Sequence, residues 1–373
     1  MKRAIVPLGD FLTLKRGYDL PEHARLSGEI PVVSSSGITG THKEAKVDGP
    51  GVVTGRYGTL GEVFYIEEPF WPLNTALYVQ DFKGNHRRFV SYFLKWVLNG
   101  TESNKAAVPG VNRNDLHARK VAVPEDLDVQ WAIASILSAY DDLIENNRRR
   151  IQLLEQAARL LYQEWFVHLR FPGHEHTQII DGVPEGWEKK VLGDVCIEVR
   201  ETVSPSALEE NTPYIGLEHM PRRSITLCEW GQAEQVTSSK HRFREGEILF
   251  GKIRPYFHKV GIALTDGVAS SDAIIIRPMN SRLLPFVLMT TSSDGFVAVT
   301  AQQMKEGSKM PRADWKQMQQ YPVPLPPDGL LRAFNGFIDP ILNQLKTLAF
   351  ANKRLASARD HLLPKLMNGE VAV

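Results

Sequence analysis

The feature that most constrains the fold is an internal duplication, because the chain repeats one series of short motifs in the same order. The recurring motifs are residues 6–10 (VPLGD) and 190–194 (KVLGD), 29–33 (EIPVV) and 211–215 (NTPYI), 51–56 (GVVTGR) and 247–252 (EILFGK), and 113–116 (RNDL) and 312–315 (RADW). Each copy then enters a proline-containing strand and a long heptad-patterned helix. A chain of two related halves is suited to contact two similar targets at a fixed distance, and duplex DNA with two half-sites is one such target.

Composition places the chain among globular proteins. It has 373 residues, 43% of them hydrophobic and 23% charged, which is enough to bury two ordinary cores. The sequence shows no secretory leader and no apolar run of membrane-spanning length, so a cytoplasmic protein is expected. Two cysteines, Cys196 and Cys228, have no metal-ligand spacing, and ordinary reduced thiols are expected. The formal net charge is only +1, so any DNA contact depends on local basic patches or on a partner.

Two long helices give the clearest structural signal. Apolar residues recur at alternating spacings of three and four, which is the 3.5-residue period of a coiled-coil seam. The first seam is Leu137, Tyr140, Ile144, Asn147, Ile151, Leu154, Ala158, Leu161 and Trp165, and the second is Ile338, Ile341, Leu345, Leu348, Asn352, Leu355, Arg359, Leu362 and Leu366.

A single seam would expose its apolar stripe to water, so the two helices are predicted to pair with each other. The short connection after the first helix favours an antiparallel pair in pseudo-two-fold arrangement, with the two domains at opposite ends. Asn147 and Asn352 occupy seam positions, where polar residues fix the register at some cost in stability. Homodimerisation through the same seams is the alternative.

The fold class predicted from these patterns is mixed α/β (α+β). Strands are expected around residues 51–55, 61–66 and 77–79 and a helix over 87–98, and the second copy repeats the order with strands near 248–250, 260–263 and 273–276. The predicted domains are a first globular domain over 1–127, a first long helix over 128–170, a hinge and second globular domain over 171–327, and a second long helix over 328–373.

The search for catalytic motifs gives a negative answer. Residues 246–252 (GEILFGK) resemble a phosphate-binding loop in spelling, but their interior is an apolar strand and Ile253 replaces the hydroxyl residue that would bind magnesium. His174 and His176 lack a third nearby ligand, so a solvated loop is expected there and no metal site. The chain carries neither a methyltransferase motif nor a nuclease cluster of carboxylates and lysine, and no catalytic residue is predicted.

Polar and basic residues on loops, at matching places in the two copies, are the candidates for DNA contact. Glycines beside them allow close approach of the backbone, and arginine or lysine can meet guanine edges or phosphates. The candidates are Arg56, Tyr57, Asn112, Arg113, Lys252, Arg254, Tyr256, Lys309 and Arg312. Residues 240–259 are locally basic, with Lys240, Arg242, Arg244, Lys252, Arg254 and Lys259 against Glu245 and Glu247. The competing interpretation is that these are solvated turn residues, and that Asp115 and Asp314 only cap the following helices.

Taken together, these motifs resemble the specificity subunit of Type I restriction-modification systems, over essentially the whole chain. The matching pieces are residues 8–10 (LGD), 52–58 (VVTGRYG), 64–66 (FYI), Phe70-Trp71, Val123-Pro124 before Gln130, and the C-terminal series Asn352, Leu355, Arg359, 362–366 (LLPKL) and Gly369-Glu370. The individual motifs are short, and their duplicated order is what makes the resemblance specific.

The resemblance implies that each domain is a target recognition domain for one half of a bipartite DNA sequence, and that the paired helices set the spacer between the halves. It also implies two modification subunits that methylate adenine with S-adenosylmethionine, and restriction subunits that use ATP and Mg²⁺. No cofactor is expected on this chain itself, and no membrane. Because Tyr57-Gly58 becomes Ile253-Arg254 and Asn112 becomes Pro311 in the second copy, an asymmetric target is expected.

Two other function classes compete with this hypothesis. An enzyme with a fused methyltransferase or nuclease is disfavoured by the missing motifs. A coiled-coil scaffold whose domains bind protein is the alternative, and salt-sensitive DNA binding distinguishes it from a DNA-recognition subunit.

Overall fold

The structure is a computed structural model that describes residues 2–56, 61–99, 112–302 and 311–373. The chain forms two compact units, the first built from two stretches of sequence and the second from one. Unit 1 comprises Met1–Ile144 and Arg354–Val373, and unit 2 comprises Glu145–Lys353. Each unit therefore contains part of both long helices, and the predicted domain boundaries remain a prediction.

Unit 1 contains two sheets and a strand pair within its described residues. The strands are β1 (Arg3–Pro7), β2 (Thr13–Arg16), β3 (Ile30–Ser34), β4 (Gly37–His42), β5 (Gly51–Gly55), β6 (Val63–Ile66), β7 (Trp71–Pro72), β8 (Ala76–Asp81) and β9 (Lys120–Pro124), and the helices are α1 (Leu8–Phe11), α2 (Arg87–Leu98), α3 (Arg113–Ala118) and the first part of α4 (Leu127–Tyr162). The sheets have the orders β2-β8-β5-β6 and β4-β3-β7, and β1 pairs with β9. The helix α2 buries Phe89, Phe93 and Leu94 in the core of this unit.

Unit 2 repeats this plan with additional strands. The strands are β10 (Ile179–Ile180), β11 (Val183–Pro184), β12 (Glu188–Val191), β13 (Cys196–Val199), β14 (Glu201–Val203), β15 (Pro213–Ile215), β16 (Thr226–Leu227), β17 (Gly231–Gln232), β18 (Lys240–Phe243), β19 (Ile248–Gly251), β20 (Val260–Ala263), β21 (Gly267–Ala269), β22 (Ala273–Pro278) and β23 (Pro322–Leu325), and the helices are α5 (Leu284–Thr291), α6 (Asp294–Gln302), α7 (Trp315–Met318) and part of α8 (Asp328–Asn368). The two main sheets have the orders β13-β22-β19-β20-β16 and β14-β18-β21-β15-β17. The predicted mixed α/β class is confirmed.

The duplication seen in the sequence is present in the hydrogen bonds. The strands β1 and β9 pair antiparallel in unit 1, as β12 and β23 do in unit 2. The amide of Leu8 donates to the carbonyl of Arg119 at 2.9 Å, and the amide of Leu192 donates to the carbonyl of Tyr321 at 2.9 Å. Each copy of the LGD motif therefore starts a helical turn held against the end of its domain.

The helices α4 and α8 pair antiparallel within each unit. In unit 1, Leu137 shares a core with Leu363 and Leu366 near the end of α8. In unit 2, the Asn147 amide donates to the Asn352 side-chain oxygen at 2.9 Å. The Trp165 ring lies 5.8 Å from that of Phe334, which belongs to the first turns of α8. Antiparallel pairing within the chain is confirmed, and the two asparagines that were predicted at seam positions bond to each other.

The remaining seam residues are buried or half-buried along both helices. They are Ile144, Ile151, Leu154, Leu161, Leu345, Leu348, Leu355 and Leu362. The first long helix ends before residue 170, which was its predicted end. The α-helix α4 ends at Tyr162, and a π-helical turn over Gln163–Val167 follows it directly. This turn buries Trp165 and Phe166 against the core of unit 2.

A helix that crosses a membrane must be both long and apolar. No single helix among the described residues is both long enough and apolar enough, and the bent pair Ser281–Thr291 and Asp294–Gln302 meets these requirements only when both segments are combined.

Candidate nucleic-acid interface

The structure describes seven of the nine candidate DNA-binding residues, while Tyr57 and Lys309 lie outside the described residues. Lys252, Arg254, Tyr256 and Arg312 belong to unit 2, and Arg56, Asn112 and Arg113 belong to unit 1.

In unit 2 the candidate loop starts where β19 ends. The amide of Lys252 donates to the carbonyl of Asp272 at 2.7 Å, and the amide of Gly251 donates to the carbonyl of Lys259 at 2.8 Å. These bonds close the loop over residues 252–258 and hold its base against the neighbouring strands. Glycine suits the close approach at 251, because a Cβ atom there would lie 3.1 Å from that of Lys259 and 3.2 Å from its carbonyl oxygen.

A second candidate segment crosses this loop. The amide of Arg254 donates to the carbonyl of Pro311 at 2.9 Å, and the amide of Ala313 donates to the carbonyl of Lys252 at 2.8 Å. Ile253 and Arg312 form an antiparallel bridge between these bonds. The two motifs that the sequence singled out separately thus form one backbone-paired surface in unit 2.

The backbone of the loop is held in an unusual conformation. Arg254 has φ +49° and His258 has φ +53°, on either side of a 3-10 turn over Pro255–Phe257. Left-handed conformations at residues other than glycine are uncommon and cost of order 1–3 kcal/mol, and they cluster at functional sites. Since Arg254 and Tyr256 are exposed, this rigid turn presents both side chains to solvent.

The charges around the loop are partly compensated. Arg312 lies 3.5 Å from Asp272, and Arg200 lies 2.8 Å from Glu198. The pKa of His241 is lowered, first by burial and then by the positive charges of Arg200 and Lys252. A neutral imidazole is therefore expected at this surface at neutral pH.

Two members of the predicted basic stretch face inward. Lys240 is 8% exposed and donates to the Ser238 hydroxyl at 2.7 Å, while the Lys259 ammonium donates to the Leu217 carbonyl at 2.6 Å. Because their ammonium groups already bond the protein, the phosphate-contacting role suggested by sequence proximity does not extend to these two lysines.

In unit 1 the corresponding loop starts in the same way. The amide of Arg56 donates to the carbonyl of Thr75 at 3.0 Å, which is the counterpart of the bond between Lys252 and Asp272. Arg113 is exposed, and its guanidinium lies 3.4 Å from the Asn114 side-chain oxygen. Residues 57–60, which follow Arg56 in the sequence, and residues 100–111, which precede Asn112 and Arg113, lie outside the described residues.

The helix-capping alternative applies in part. Asn112 caps α3, because its side-chain oxygen accepts from the amide of Asn114 at 2.9 Å. In unit 2, Asp314 caps α7 and accepts from the amide of Lys316 at 3.1 Å. The capping role expected of Asp115 thus belongs to Asn112, whose oxygen is engaged with the backbone.

Sequence reasoning missed the contacts that fix residues 223–226 to α4 in unit 2, a segment that is bonded in turn to His258 of the candidate loop through the Arg223 amide. One carboxylate oxygen of Glu155 accepts from the amides of Ile225 and Thr226 at 3.1 and 3.0 Å, and from the hydroxyls of Ser224 and Thr226. Arg159 on the next turn donates to the carbonyl of Arg223 at 2.5 Å. The only signal in the sequence was a glutamate next to a seam position, which is also typical of a solvent-exposed helix face.

A cavity of about 480 Å³ lies next to the candidate loop over residues 252–258, between α4, α5, α6 and β23. His258 forms part of its wall, with its Nε2 2.8 Å from the Ser292 carbonyl and its Nδ1 3.4 Å from the Asp294 carboxylate. Burial is the main cause that lowers the pKa of His258. His174 and His176 form a 3-10 turn elsewhere, and the described residues contain no group of three or more His, Cys, Asp or Glu side chains that could hold a metal ion.

Comparison with known proteins shows what this chain is similar to in sequence. Residues 3–156 match the family described as the Type I restriction modification DNA specificity domain. The chain is 25% identical over 270 residues to the Type I restriction enzyme EcoDI specificity subunit of Escherichia coli, covering 63% of this chain and 59% of that protein. It is 23% identical over 300 residues to the MjaIX specificity subunit of Methanocaldococcus jannaschii, covering 76% of this chain and 67% of that protein.

The fold has a solved counterpart. The crystal structure of the Type I restriction-modification system S subunit from M. genitalium superposes with a TM-score of 0.60 at 16% identity, covering 98% of this chain and 96% of that chain. Because its identity is low, this likeness concerns the fold alone. The family match over residues 3–156 and the two relatives make this chain similar in sequence to specificity subunits of Type I restriction-modification systems, and its duplicated domains and two long helices share the fold of the solved S subunit.

Proposed function

We propose that this chain is the non-catalytic subunit that recognises DNA for a Type I restriction-modification complex. Each unit recognises one half of an asymmetric bipartite target. The observation that carries the proposal is that the two copies build the same frame and place unlike loops on it. Arg56 and Lys252 begin these loops with equivalent backbone bonds to Thr75 and Asp272, yet the residues that follow differ.

The chemistry of the unit 2 loop supports recognition of DNA. Arginine presents two parallel donors that match the O6 and N7 acceptors of guanine in the major groove, whereas lysine and backbone amides are suited to phosphates. Arg254, Arg312 and Lys252 lie on one surface whose backbone is held by hydrogen bonds between its two segments. A fixed surface loses less conformational entropy on binding than a mobile one.

The proposal includes the partners. Two modification subunits bind this chain and methylate adenine, and restriction subunits complete the nuclease in the cytoplasm. S-adenosylmethionine, ATP and Mg²⁺ belong to those subunits, and this chain binds none of them. With a formal net charge of +1, this chain depends on the modification subunits for much of the affinity for phosphate.

The two long helices set the spacer between the halves of the target. Insertion or deletion of a helical turn in α4 and α8 is expected to change the spacer length and leave both half-site sequences unchanged. A change in half-site sequence after such an insertion would contradict this role.

The experiment that tests the function is a genome-wide map of methylated adenine in cells that express this chain with its modification subunit. The control cells lack only this chain. A single bipartite motif that depends on the chain is the expected result. If a stable complex forms but produces no motif and binds DNA without dependence on salt, the protein-binding scaffold replaces DNA recognition as the function.

A further inference from the structure

Phe257 lies beneath two guanidinium groups in unit 2. The central carbon of the Arg222 guanidinium is 4.1 Å from the centroid of the Phe257 ring, and that of Arg254 is 5.8 Å from the same centroid. An arginine within about 6 Å of a ring centroid is attracted by the negative face of the ring. Arg222 and Arg254 are separated in sequence by four strands, and one aromatic ring brings them together.

The two loops that carry these arginines are joined by their backbones. The amide of Arg223 donates to the carbonyl of His258 at 2.9 Å, next to Phe257. Arg159 of α4 donates to the carbonyl of Arg223, and the Arg254 amide is bonded to Pro311. The positions from which both side chains start are therefore fixed by the frame of unit 2.

The positive charges of Arg222 and Arg254 are not neutralised by ion pairs among the described residues, whereas those of two neighbouring arginines are. Arg223 lies 3.0 Å from Asp294, and Arg312 lies 3.5 Å from Asp272. Among the described residues, neither Arg222 nor Arg254 has a carboxylate within the 4.0 Å distance of an ion pair. Both side chains are exposed. Positive charge that is positioned but not neutralised by the protein is suited to a negatively polarised partner.

We propose that Arg222 and Arg254, held on the ring of Phe257, form the guanine-recognising pair of unit 2. This inference rests on the proposed function in DNA recognition. A guanidinium that stacks on a ring keeps its N–H edge free, so that it can donate two hydrogen bonds to the O6 and N7 atoms of one guanine. Phe257 is a positioning residue, because it holds the two arginines and does not itself contact a base edge.

The test uses the purified complex of this chain with its modification subunit and a library of DNA duplexes randomised around the bipartite motif of the wild-type complex. The variants Arg222→Lys and Arg254→Lys keep the charge and remove the two-donor edge. Each is expected to lower the preference for guanine at one or two positions of a single half-site by roughly 5- to 150-fold. Methylation at the other half-site keeps its preference in both variants.

Phe257→Leu keeps an apolar side chain and removes the aromatic face, and it is expected to lower the same preference by roughly two- to five-fold. Phe257→Tyr restores the face and is expected to restore the preference. Arg332→Lys, at an exposed position of α8 in unit 2, is the matched control and should leave both half-sites unchanged. Thermal unfolding of each variant identifies any that fold poorly.

Three results would overturn the inference. The first is an unchanged guanine preference in both lysine variants. The second is a loss in Phe257→Leu that Phe257→Tyr does not restore. The third is an equal loss of methylation at all DNA sequences, which would show that the arginines contact phosphates and not bases. Failure of the proposed function would appear differently, as the absence of any chain-dependent motif in the wild-type complex.

Discussion

Units 1 and 2 use the same frame and stabilise it by different contacts. In unit 1, the helix pair is joined by a charged network in which Arg359 of α8 binds Asp141 of α4, and Tyr92 of α2 donates to the same carboxylate. In unit 2, the helices meet through the pair of asparagines, and the charged group Glu155 instead holds a loop of the recognition domain. Duplicated architecture therefore does not require duplicated polar contacts, since the shared backbone bonds and apolar packing define the frame.

The largest effect is expected at Glu155, which is 5% exposed. Glu155→Ala leaves the amides of Ile225 and Thr226 and two hydroxyls without their acceptor, and it should lower the free energy of unfolding by about 3 kcal/mol. Denaturant unfolding measures this change. The control is Glu145→Ala at an exposed position of the same helix, which should change the free energy by less than about 0.5 kcal/mol. Equal effects of the two variants would refute the anchoring role of Glu155.

A somewhat smaller effect is expected in unit 1. Arg359→Ala removes the partner of Asp141, which keeps only its bond from the Tyr92 hydroxyl, and the free energy of unfolding should fall by about 2 kcal/mol. Arg354→Ala, at an exposed position of α8 in the same unit, serves as the control. If Arg359→Ala were as mild as Arg354→Ala, the network would contribute nothing and the contrast between the units would disappear.

The asparagine pair of unit 2 allows a comparison between single and double variants. Asn147→Leu alone should destabilise the chain by about 1–2 kcal/mol, because it leaves the side-chain oxygen of Asn352 without its hydrogen-bond donor. The double variant with Asn352→Leu should recover at least the wild-type stability, since polar seam residues specify register at a cost in stability. The measurement is again denaturant unfolding of all three variants. A double variant less stable than either single variant would show that the pair stabilises the helices.

Much of the frame was predictable from the sequence, and the site was predictable only in part. The heptad period identified the helices and the seam position of both asparagines, because a period of 3.5 residues has one structural interpretation. The β19 loop and the segment around Arg312 were found because they recur in both copies. The contacts of Glu155 and Phe257 were not found, since each joins residues that are distant in sequence and carries no period.

The smallest effect concerns pH and is specific to unit 2. Burial is the main influence on His258 and lowers its pKa below 6.5; Arg223 and Arg159 act in the same direction, while the Ser292 carbonyl and Asp294 act against it. The unfolded chain therefore binds a proton on this histidine at a higher pH than the folded chain does, so the stability of unit 2 falls as the pH drops below about 6.5. Hydrogen exchange of the loop at about pH 7.5 and about pH 5.5 measures the loss of protection.

The variant His258→Asn separates this effect from the titration of other groups. Asparagine tolerates the left-handed backbone at φ +53° and can place its amide near the position of the His258 Nδ1 that faces Asp294, but it does not titrate. The loop of this variant should lose less protection on acidification than the wild-type loop. An equal loss of protection in both proteins would assign the pH dependence to titratable groups other than His258.

The central claim is that the two units recognise different halves of one DNA target. The most direct test is to map methylated adenine in cells that carry the modification subunit with this chain, its Arg56→Ala variant or its Arg254→Ala variant. Each variant is predicted to weaken recognition by about 1–3 kcal/mol at one half only, with Arg56→Ala and Arg254→Ala affecting different halves. Relaxation of the same half by both variants, or uniform loss of methylation at all sites, would contradict the account.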